Sequence, residues 1–319
     1  MFISCIIPMY NEEDNVRLVV MQTDAAMRSH GEPYEIICVD DGSSDGTLRE
    51  IDRAREDFPA VVKVTYAENR GMGYAIKKGI AAAKGEVIVT LDADQTFDPA
   101  DTPKLLSYLP AYDLVIGSPY IDGGHMTGVP FYRKLISKLG NYVLSWAIPY
   151  DVKSTTTVFR AYNRELLDAI DIESDRMEIN PEILAKAGAL GYRIKEIPVT
   201  LSTRKHGASK FHFISGAKGH FWLSAYEKPF LIFGFFGLLL LLFGLVSGLF
   251  IVKEFFEGTL DPTRPLINLT VLFVVSGMII LLFGFVSNQV LQIKRELLKV
   301  RRDLKRVREL QRHNPGKDE

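Results

Sequence analysis

Two long stretches without a charged residue constrain the fold of this chain more than any other feature. The first runs from Pro229 to Val252 and the second from Leu266 to Ile293. Each exceeds the roughly 20 apolar residues that a helix needs to cross a bilayer. The sequence therefore predicts two transmembrane helices, joined by a short connector at residues 253–264.

The charges around these stretches predict their orientation. The segment "KRELLKVRRDLKRVREL" at residues 294–310 is strongly basic, whereas the connector is slightly acidic. Basic flanks remain on the cytoplasmic side of a membrane. We therefore expect both ends of the chain in the cytoplasm and the connector outside. The net charge of the whole chain is −1, which gives no indication of nucleic-acid binding.

The basic segment also has an apolar seam. Its members follow one another at intervals of three and four residues: Val290, Ile293, Leu297, Val300, Leu304 and Val307. This spacing is typical of a coiled coil, which would join copies of the chain into an oligomer. A basic helix that lies against anionic lipid explains the same pattern. The sequence leaves both interpretations open.

Residues 1 to about 120 alternate between strand-like and helix-like patterns. Five short apolar runs predict strands: "FISCIIP", "EIICVDD", "VVKVTY", "EVIVTL" and "DLVIGS". Helical periodicity occupies residues 12–29, 46–56, 71–83 and 101–109. This alternation predicts an α/β fold with a mostly parallel sheet and helices on both faces. Further along, we expect a helix near Pro181 and then a strand from Arg193 to Leu201.

Polar clusters follow the first four predicted strands, where ligands of a parallel sheet bind. Asp92 and Asp94 come directly after the fourth strand. Carboxylates in such a place are costly unless a positive group meets them. Because Mg²⁺ and Mn²⁺ take carboxylate and phosphate oxygens together, we expect a metal that carries a diphosphate. A turn with solvated or helix-capping aspartates is the alternative for these two residues alone.

Two further clusters fit a nucleotide. Asp40 and Asp41 end the second strand, where a carboxylate can accept hydrogen bonds from a base or a ribose hydroxyl. The alternative is a loop in which Ser44 or Asp45 caps the next helix. In "NRGMGYA", Gly71 begins a helix and allows a ligand to approach closely. The pattern of a dinucleotide fingerprint is incomplete here, since the third glycine is missing.

These motifs in this order resemble glycosyltransferase family 2. They are "IIPMYNEE", "VDDGSSDGT", "NRGMGYAIKKG" and "LDAD". The resemblance implies the nucleotide-sugar-binding fold called GT-A, with Mg²⁺ or Mn²⁺ as cofactor. "FYRKLISK", "GYRIKEIPV" and "GASKF", followed by two apolar spans, are similar to polyprenyl-phosphate glycosyltransferases of the dolichyl-phosphate mannose synthase kind.

The resemblance assigns a role to individual positions. The residues expected to bind the nucleotide sugar are Pro8, Tyr10, Glu12, Asp40, Asp41, Gly71, Asp92, Ala93 and Asp94. Asp94 would be the principal metal ligand, with Asp92 beside it. Arg133, Arg204 and Lys210 would hold the acceptor phosphate, and Asp92, Asp94 and Arg133 would carry the catalysis.

The chain departs from the family pattern at three places. Thr96 stands where the family often has a glutamine that binds the metal, with Gln95 beside it. Pro119 and His206 stand where arginines are common. These departures leave the remaining metal ligands open and suggest a different donor or acceptor geometry.

We expect four segments along the chain. They are a cytoplasmic GT-A domain at 1–210, an interfacial amphipathic segment at 211–228, two membrane helices at 229–293 and a basic tail at 294–319. The resemblance implies an inverting transfer of a hexose, with mannose preferred, from GDP-mannose or a UDP-hexose to dolichyl or polyprenyl phosphate. The alternatives are a processive polysaccharide synthase and a scaffold subunit that keeps the fold without catalysis.

Overall fold

The structure is a computed structural model. It describes residues 1–128, 152–203, 229–259, 261, 263 and 265–313. The chain divides into two compact units, Met1–His220 and Phe221–Glu319. The first is an α/β unit and the second is helical.

Short strands build the first unit. Those in the described ranges are β1 (Ile3–Met9), β2 (Tyr34–Asp40), β3 (Val61–Thr65), β4 (Val87–Thr90), β5 (Leu114–Ser118), β6 (His125–Met126), β7 (Arg160–Asn163), β8 (Ile194–Pro198) and β9 (Thr200–Leu201). Seven of them form one sheet in the order β3-β2-β1-β4-β7-β5-β8, and β6 pairs with β9. Only β7 is antiparallel to its neighbours in that sheet. The prediction of a mostly parallel sheet is confirmed.

Helices cover both faces of the sheet. In the described part of the first unit the α-helices are α1 (Val16–His30), α2 (Thr47–Asp57), α3 (Met72–Ala82), α4 (Thr102–Leu106), α5 (Arg164–Ala169) and α6 (Ile179–Ala189). Alternate side chains of β1 enter separate apolar cores: Cys5 and Ile7 pack with α1, and Ile6 packs with α3. Because both faces are covered, the inner strands are apolar at nearly every position rather than at every second one.

Several local features differ from the sequence prediction. The first helix begins at Val16 rather than at residue 12, because residues 13–15 form a turn. The strand expected at Arg193–Leu201 is divided into β8 and β9. Strand β7 was not predicted at all, since its sequence "RAYN" lacks an apolar run.

The second unit consists of two long helices in its described part. They are α7 (Pro229–Phe256) and α8 (Pro265–His313). Both are long and apolar enough to cross a membrane, and only 11% of the most apolar window of each is buried. A core helix of a soluble protein would be mostly covered, so the chain is an integral membrane protein. Helix α8 continues through the basic segment, whereas the interfacial segment predicted at 211–228 lies outside the described residues.

Candidate active site

A cavity of ≈ 700 Å³ opens at the edge where the parallel strands end. Eight of the nine residues expected to bind the nucleotide sugar line it: Pro8, Tyr10, Glu12, Asp41, Gly71, Asp92, Ala93 and Asp94. They come from the ends of β1, β2 and β4 and from the start of α3. Sheet topology therefore brings together groups that lie far apart in the sequence.

The turn after β1 is fixed to the turn after β2. Asn11 has a left-handed backbone conformation with φ 51°, which asparagine tolerates better than most residues. Its N–H donates to Ser43 Oγ at 2.9 Å, and its Oδ1 accepts from the N–H of Ser44 at 2.8 Å. The N–H of Glu12 donates to Thr47 Oγ1 at 2.8 Å. These bonds hold Tyr10 and Glu12 at the cavity.

Asp41 organises the loop before α3. Its carboxylate accepts hydrogen bonds from Tyr66 OH (2.8 Å), Asn69 Nδ2 (3.1 Å) and the N–H groups of Arg70 (2.8 Å) and Gly71 (2.9 Å). Burial, followed by the hydrogen bond to Asp41, raises the pKa of Tyr66, so its hydroxyl remains a donor. Four bonds are about as many as one carboxylate accepts.

Gly71 is required by its backbone and by its neighbours. Its φ is 100°, and a Cβ there would lie 2.7 Å from the carbonyl oxygen of Asp175. Only glycine fits such a place. The start of α3 can therefore pack against the loop that carries Arg176.

Asp40 is the exception among the expected nucleotide ligands. It is 2% exposed and does not line the cavity. Its carboxylate accepts hydrogen bonds from the N–H of Ser43 and from Thr65 Oγ1. It therefore secures the turn after β2.

Asp92 and Asp94 both line the cavity directly after β4. Asp94 is 7% exposed, and its Oδ1 accepts the N–H of Thr96 at 3.0 Å. Gln95 has a left-handed φ of 55°, which turns the chain sharply after Asp94. Such strained positions are common at functional sites.

The donor set suits a hard divalent cation that also binds a ligand. In the described part of the chain, no group of three or more His, Cys, Asp or Glu side chains could enclose a metal. Mg²⁺ is commonly held by one or two carboxylates together with substrate phosphates. Two aspartates in a cavity that admits a diphosphate fit that pattern.

Sequence reasoning missed one part of the cavity wall. It consists of residues 156–158, which precede β7, and residues 176–178, which precede α6. Neither segment has apolar periodicity or glycine spacing, so only the antiparallel insertion of β7 reveals their place.

The charges along the cavity are unequal. Five carboxylates line it, those of Glu12, Asp41, Asp92, Asp94 and Glu178. Among the described lining residues, Arg176 is the single cation. An anionic ligand therefore requires added positive charge, which a divalent cation would provide.

The expected acceptor groups lie outside the described residues. They are Arg133, Arg204 and Lys210, and His206 lies there too. Pro119, where the family favours an arginine, does line the cavity, next to Tyr120.

Comparisons with known proteins place this chain in one family. Residues 4–171, over half of the chain, match the sequence profile of Glycosyl transferase family 2. The dolichol-phosphate mannosyltransferase of Pyrococcus furiosus is 34% identical over 213 residues, which are 66% of this chain but only 59% of that protein. The undecaprenyl-phosphate 4-deoxy-4-formamido-L-arabinose transferase of Klebsiella pneumoniae is 31% identical over 254 residues, 78% of this chain and 75% of that one.

A solved structure supports the fold. Glucosyl-3-phosphoglycerate synthase of Mycobacterium tuberculosis, in complex with Mn²⁺, uridine diphosphate and phosphoglyceric acid, matches with a TM-score of 0.53. The match covers 70% of this chain and 76% of that one, at 20% identity. At that identity the likeness concerns the GT-A fold alone. The profile match and the Klebsiella relative show that this chain belongs to glycosyltransferase family 2.

Proposed function

We propose that the chain is a membrane-bound transferase that moves a sugar from a nucleotide sugar to a polyprenyl phosphate. The observation that carries the proposal is one cavity shared by Asp92 and Asp94 with Tyr10 and Glu12. It offers oxygen ligands for a cation beside room for a nucleotide. The GT-A fold and family membership agree with this use.

The relatives support the acceptor more than the donor. Their names give different sugars, mannose and 4-deoxy-4-formamido-L-arabinose, but both give a polyprenyl phosphate. The two apolar helices would keep the chain at the membrane that holds such a lipid. Mannose as the sugar, and the choice between dolichyl and undecaprenyl phosphate, stay predictions.

The residues of the chain suit transfer to a phosphate. A lipid monophosphate is already an anionic nucleophile near neutral pH, so it needs positioning and charge shielding more than a strong base. Arg176 would attract it or the donor diphosphate, and Arg133, Arg204 and Lys210 are proposed to hold it. Direct displacement at the anomeric carbon would invert its configuration.

Asp94 and Asp92 would hold a divalent cation, Mg²⁺ or Mn²⁺. When bound, such an ion supplies positive charge for the departing nucleoside diphosphate. The basic tail supports a cytoplasmic position for both ends of the chain, where nucleotide sugars are made. A homo-oligomer through the tail seam also stays a proposal.

The test is a transfer assay with the purified full chain in detergent. Polyprenyl phosphate, Mg²⁺ or Mn²⁺ and a panel of radiolabelled nucleotide sugars are supplied, and label is followed into the organic phase. We expect label from one donor, lost on addition of EDTA. Label in lipid from none of the donors, with nucleotide binding intact, would move the interpretation to another acceptor or to a scaffold.

Matched variants make the assay specific. Asp94→Asn should lower transfer at least a hundredfold while the protein stays folded, because it removes charge from the expected metal ligand. Asp57→Asn removes one carboxylate from the exposed end of α2 and should leave transfer unchanged. Equal activity of Asp94→Asn and the unmodified chain would contradict the assignment of Asp94.

A further inference from the structure

The segment just before β7 directs its carbonyl groups into the protein. Arg160 Nη2 donates to Thr155 O at 2.6 Å and Arg160 Nε to Thr157 O at 2.6 Å. Asn180 Nδ2 donates to Thr156 O at 3.4 Å, and Thr90 Oγ1 donates to Val158 O. Four successive carbonyls thus accept from interior donors, which is unusual for a loop.

The N–H groups of the same segment have no such partners. Within the described part of the chain, those of Thr156, Thr157 and Val158 donate to no protein acceptor. Thr157 is 9% and Val158 is 4% exposed, and all three residues line the cavity. Because buried N–H groups are rarely left unpaired, these donors call for a ligand or water. In a planar trans peptide each N–H points opposite to the carbonyl of the preceding residue, so these three groups point away from the interior donors and offer a cradle for an anion.

Arg160 adds charge behind this cradle. It is fully buried, and its Nη1 also donates to Asn180 O at 2.8 Å. Among the described residues, no carboxylate lies within ion-pair distance of its guanidinium, which nevertheless stays protonated. The charge of Glu196 acts on it from beyond that distance, and a buried cation without a direct ion pair favours further negative charge nearby.

The register of the sheet places the cradle beside the aspartates. Strand β7 runs antiparallel to β4, with Arg160 opposite Thr90. Asp92 follows Thr90 by two residues and Val158 precedes Arg160 by two, so both leave this pair on the same side, and both line the cavity. An anion on the cradle would therefore lie next to the cation that Asp92 and Asp94 are proposed to hold.

We propose that the N–H groups of Thr156, Thr157 and Val158 form a phosphate-binding site, with Arg160 as the positioning residue that turns the carbonyls away. The identity of the phosphate rests on the proposed function: it is the diphosphate of the nucleotide sugar or the phosphate of the lipid. Both present the same anionic oxygens, and the experiment distinguishes them.

Hydrogen exchange of the unmodified full chain tests the site directly. Peptides that cover residues 154–160 are followed by mass spectrometry with Mg²⁺ and one of three phosphates: UDP, GDP or citronellyl phosphate. The phosphate-free controls are uridine, guanosine and citronellol. We expect one class of phosphate to slow exchange at residues 156–158 at least tenfold. Its phosphate-free control should leave the exchange rate unchanged. The protecting class identifies the source. Unchanged exchange with every phosphate at millimolar concentration would overturn the proposal.

Arg160→Lys tests the positioning role. Lysine keeps the charge but loses the fork that reaches three carbonyls, two of them in the cradle segment, so we expect about tenfold weaker binding of the protecting phosphate and unchanged nucleoside binding. Arg164→Lys on α5, whose Nη1 donates to Ala83 O, is the matched control. If a folded Arg160→Lys protein bound phosphate as tightly as the unmodified chain, Arg160 would have no positioning role in the site. If that variant does not fold, the exchange result on the unmodified chain decides.

These readouts are independent of turnover. A chain that transfers no sugar but shows protection at residues 156–158 would keep this inference and lose the proposed function. A chain that transfers sugar but shows no protection at residues 156–158 would keep the proposed function and lose this inference.

Discussion

Asp41 illustrates how one carboxylate can shape a binding site through hydrogen bonds within the protein. It is 3% exposed and accepts four hydrogen bonds, three of them from the turn at residues 69–71. That turn carries Gly71 and the start of α3 to the cavity. Asp41 therefore fixes the position of this loop whether or not a nucleotide is bound.

Replacing Asp41 by asparagine should loosen this turn. An amide has one acceptor oxygen, and its NH₂ group would face N–H donors that lose their partner. We expect the free energy of unfolding to fall by about 2 kcal/mol and nucleotide affinity to fall by about tenfold. Tyr66→Phe removes only one donor and should cost about half as much. Thermal unfolding and calorimetric titration measure both; equal stability of Asp41→Asn and the unmodified chain would contradict the role.

Arg176 permits a second prediction at this scale. It is the only cation among the described lining residues, and no described side chain pairs with it. Arg176→Ala should raise the KM for the anionic substrate it meets about tenfold, since a charge-assisted hydrogen bond contributes about 1.5–3 kcal/mol. Arg176→Lys should recover part of the loss. Arg193→Ala, which breaks a surface ion pair with Asp113, is the control, and an equal KM for Arg176→Ala would exclude the contact.

The residues that sequence could identify share one property. Tyr10, Asp41, Asp92 and Asp94 each follow a strand that an apolar run reveals, so their common edge could be inferred. Arg160 and Thr157 have no such signal. Arg160 is fully buried although arginine is mostly exposed; two carbonyls of its own segment and that of Asn180, which the tertiary fold brings, make this possible.

At the level of elements, β7 is the strand of the large sheet that the sequence did not predict. Five strands and their helices follow from apolar runs and helical periodicity, because the burial of each is visible in its own local sequence. Strand β7 is short, polar in sequence and inserted antiparallel between β4 and β5. Its position depends on pairing with distant strands, which no local pattern records.

The two apolar helices pack through glycines. A Cβ on Gly237 would lie 2.9 Å from the carbonyl oxygen of Gly277, whereas one on Gly248 would lie 3.7 Å from Thr270 Cγ2. Gly237→Ala should therefore separate the helices and Gly248→Ala should be tolerated. Ser247 and Thr270 are suitable positions for detecting a change in the distance between the helices, because Thr270 Oγ1 donates to Ser247 Oγ at 2.8 Å.

The measurement is disulfide formation between cysteines at 247 and 270 in membranes. We expect cross-linking to be severalfold slower with Gly237→Ala than with Gly248→Ala. Equal rates in both would show that the glycine contact does not set the distance between the helices.

Glu182 on α6 predicts a dependence on pH. Burial alone would raise its pKa, but the N–H groups of Glu173 and Ser174 and the ammonium of Lys186 lower it below the ordinary glutamate value. A lowered pKa means that the contribution to stability is complete above about pH 4.3 and is lost as pH falls through the folded pKa. Thermal unfolding should show Glu182→Gln less stable by about 1 kcal/mol at pH 7 and nearly equal at about pH 3. The same difference at both pH values would exclude this origin.

For the whole molecule, the two native cysteines make its orientation testable without removing them. Cys5 and Cys38 are both fully buried, and burial raises the pKa of each thiol to about 12. A thiol that is neither exposed nor ionised reacts slowly with maleimides. Introduced cysteines can therefore be labelled while the two native cysteines stay unlabelled.

The basic segment of α8 predicts which sites are accessible from outside. Two spans return the chain to its starting side, so the first unit and the tail should share the cytoplasm, with the connector outside. In intact cells, a membrane-impermeant maleimide should label Glu257→Cys, next to the connector, and neither Asp57→Cys on α2 nor Gln311→Cys near the end of α8. The latter two should become labelled after lysis. Labelling of Asp57→Cys and Gln311→Cys before lysis would reverse the orientation, and labelling of only one of them would show that the chain does not cross the membrane twice.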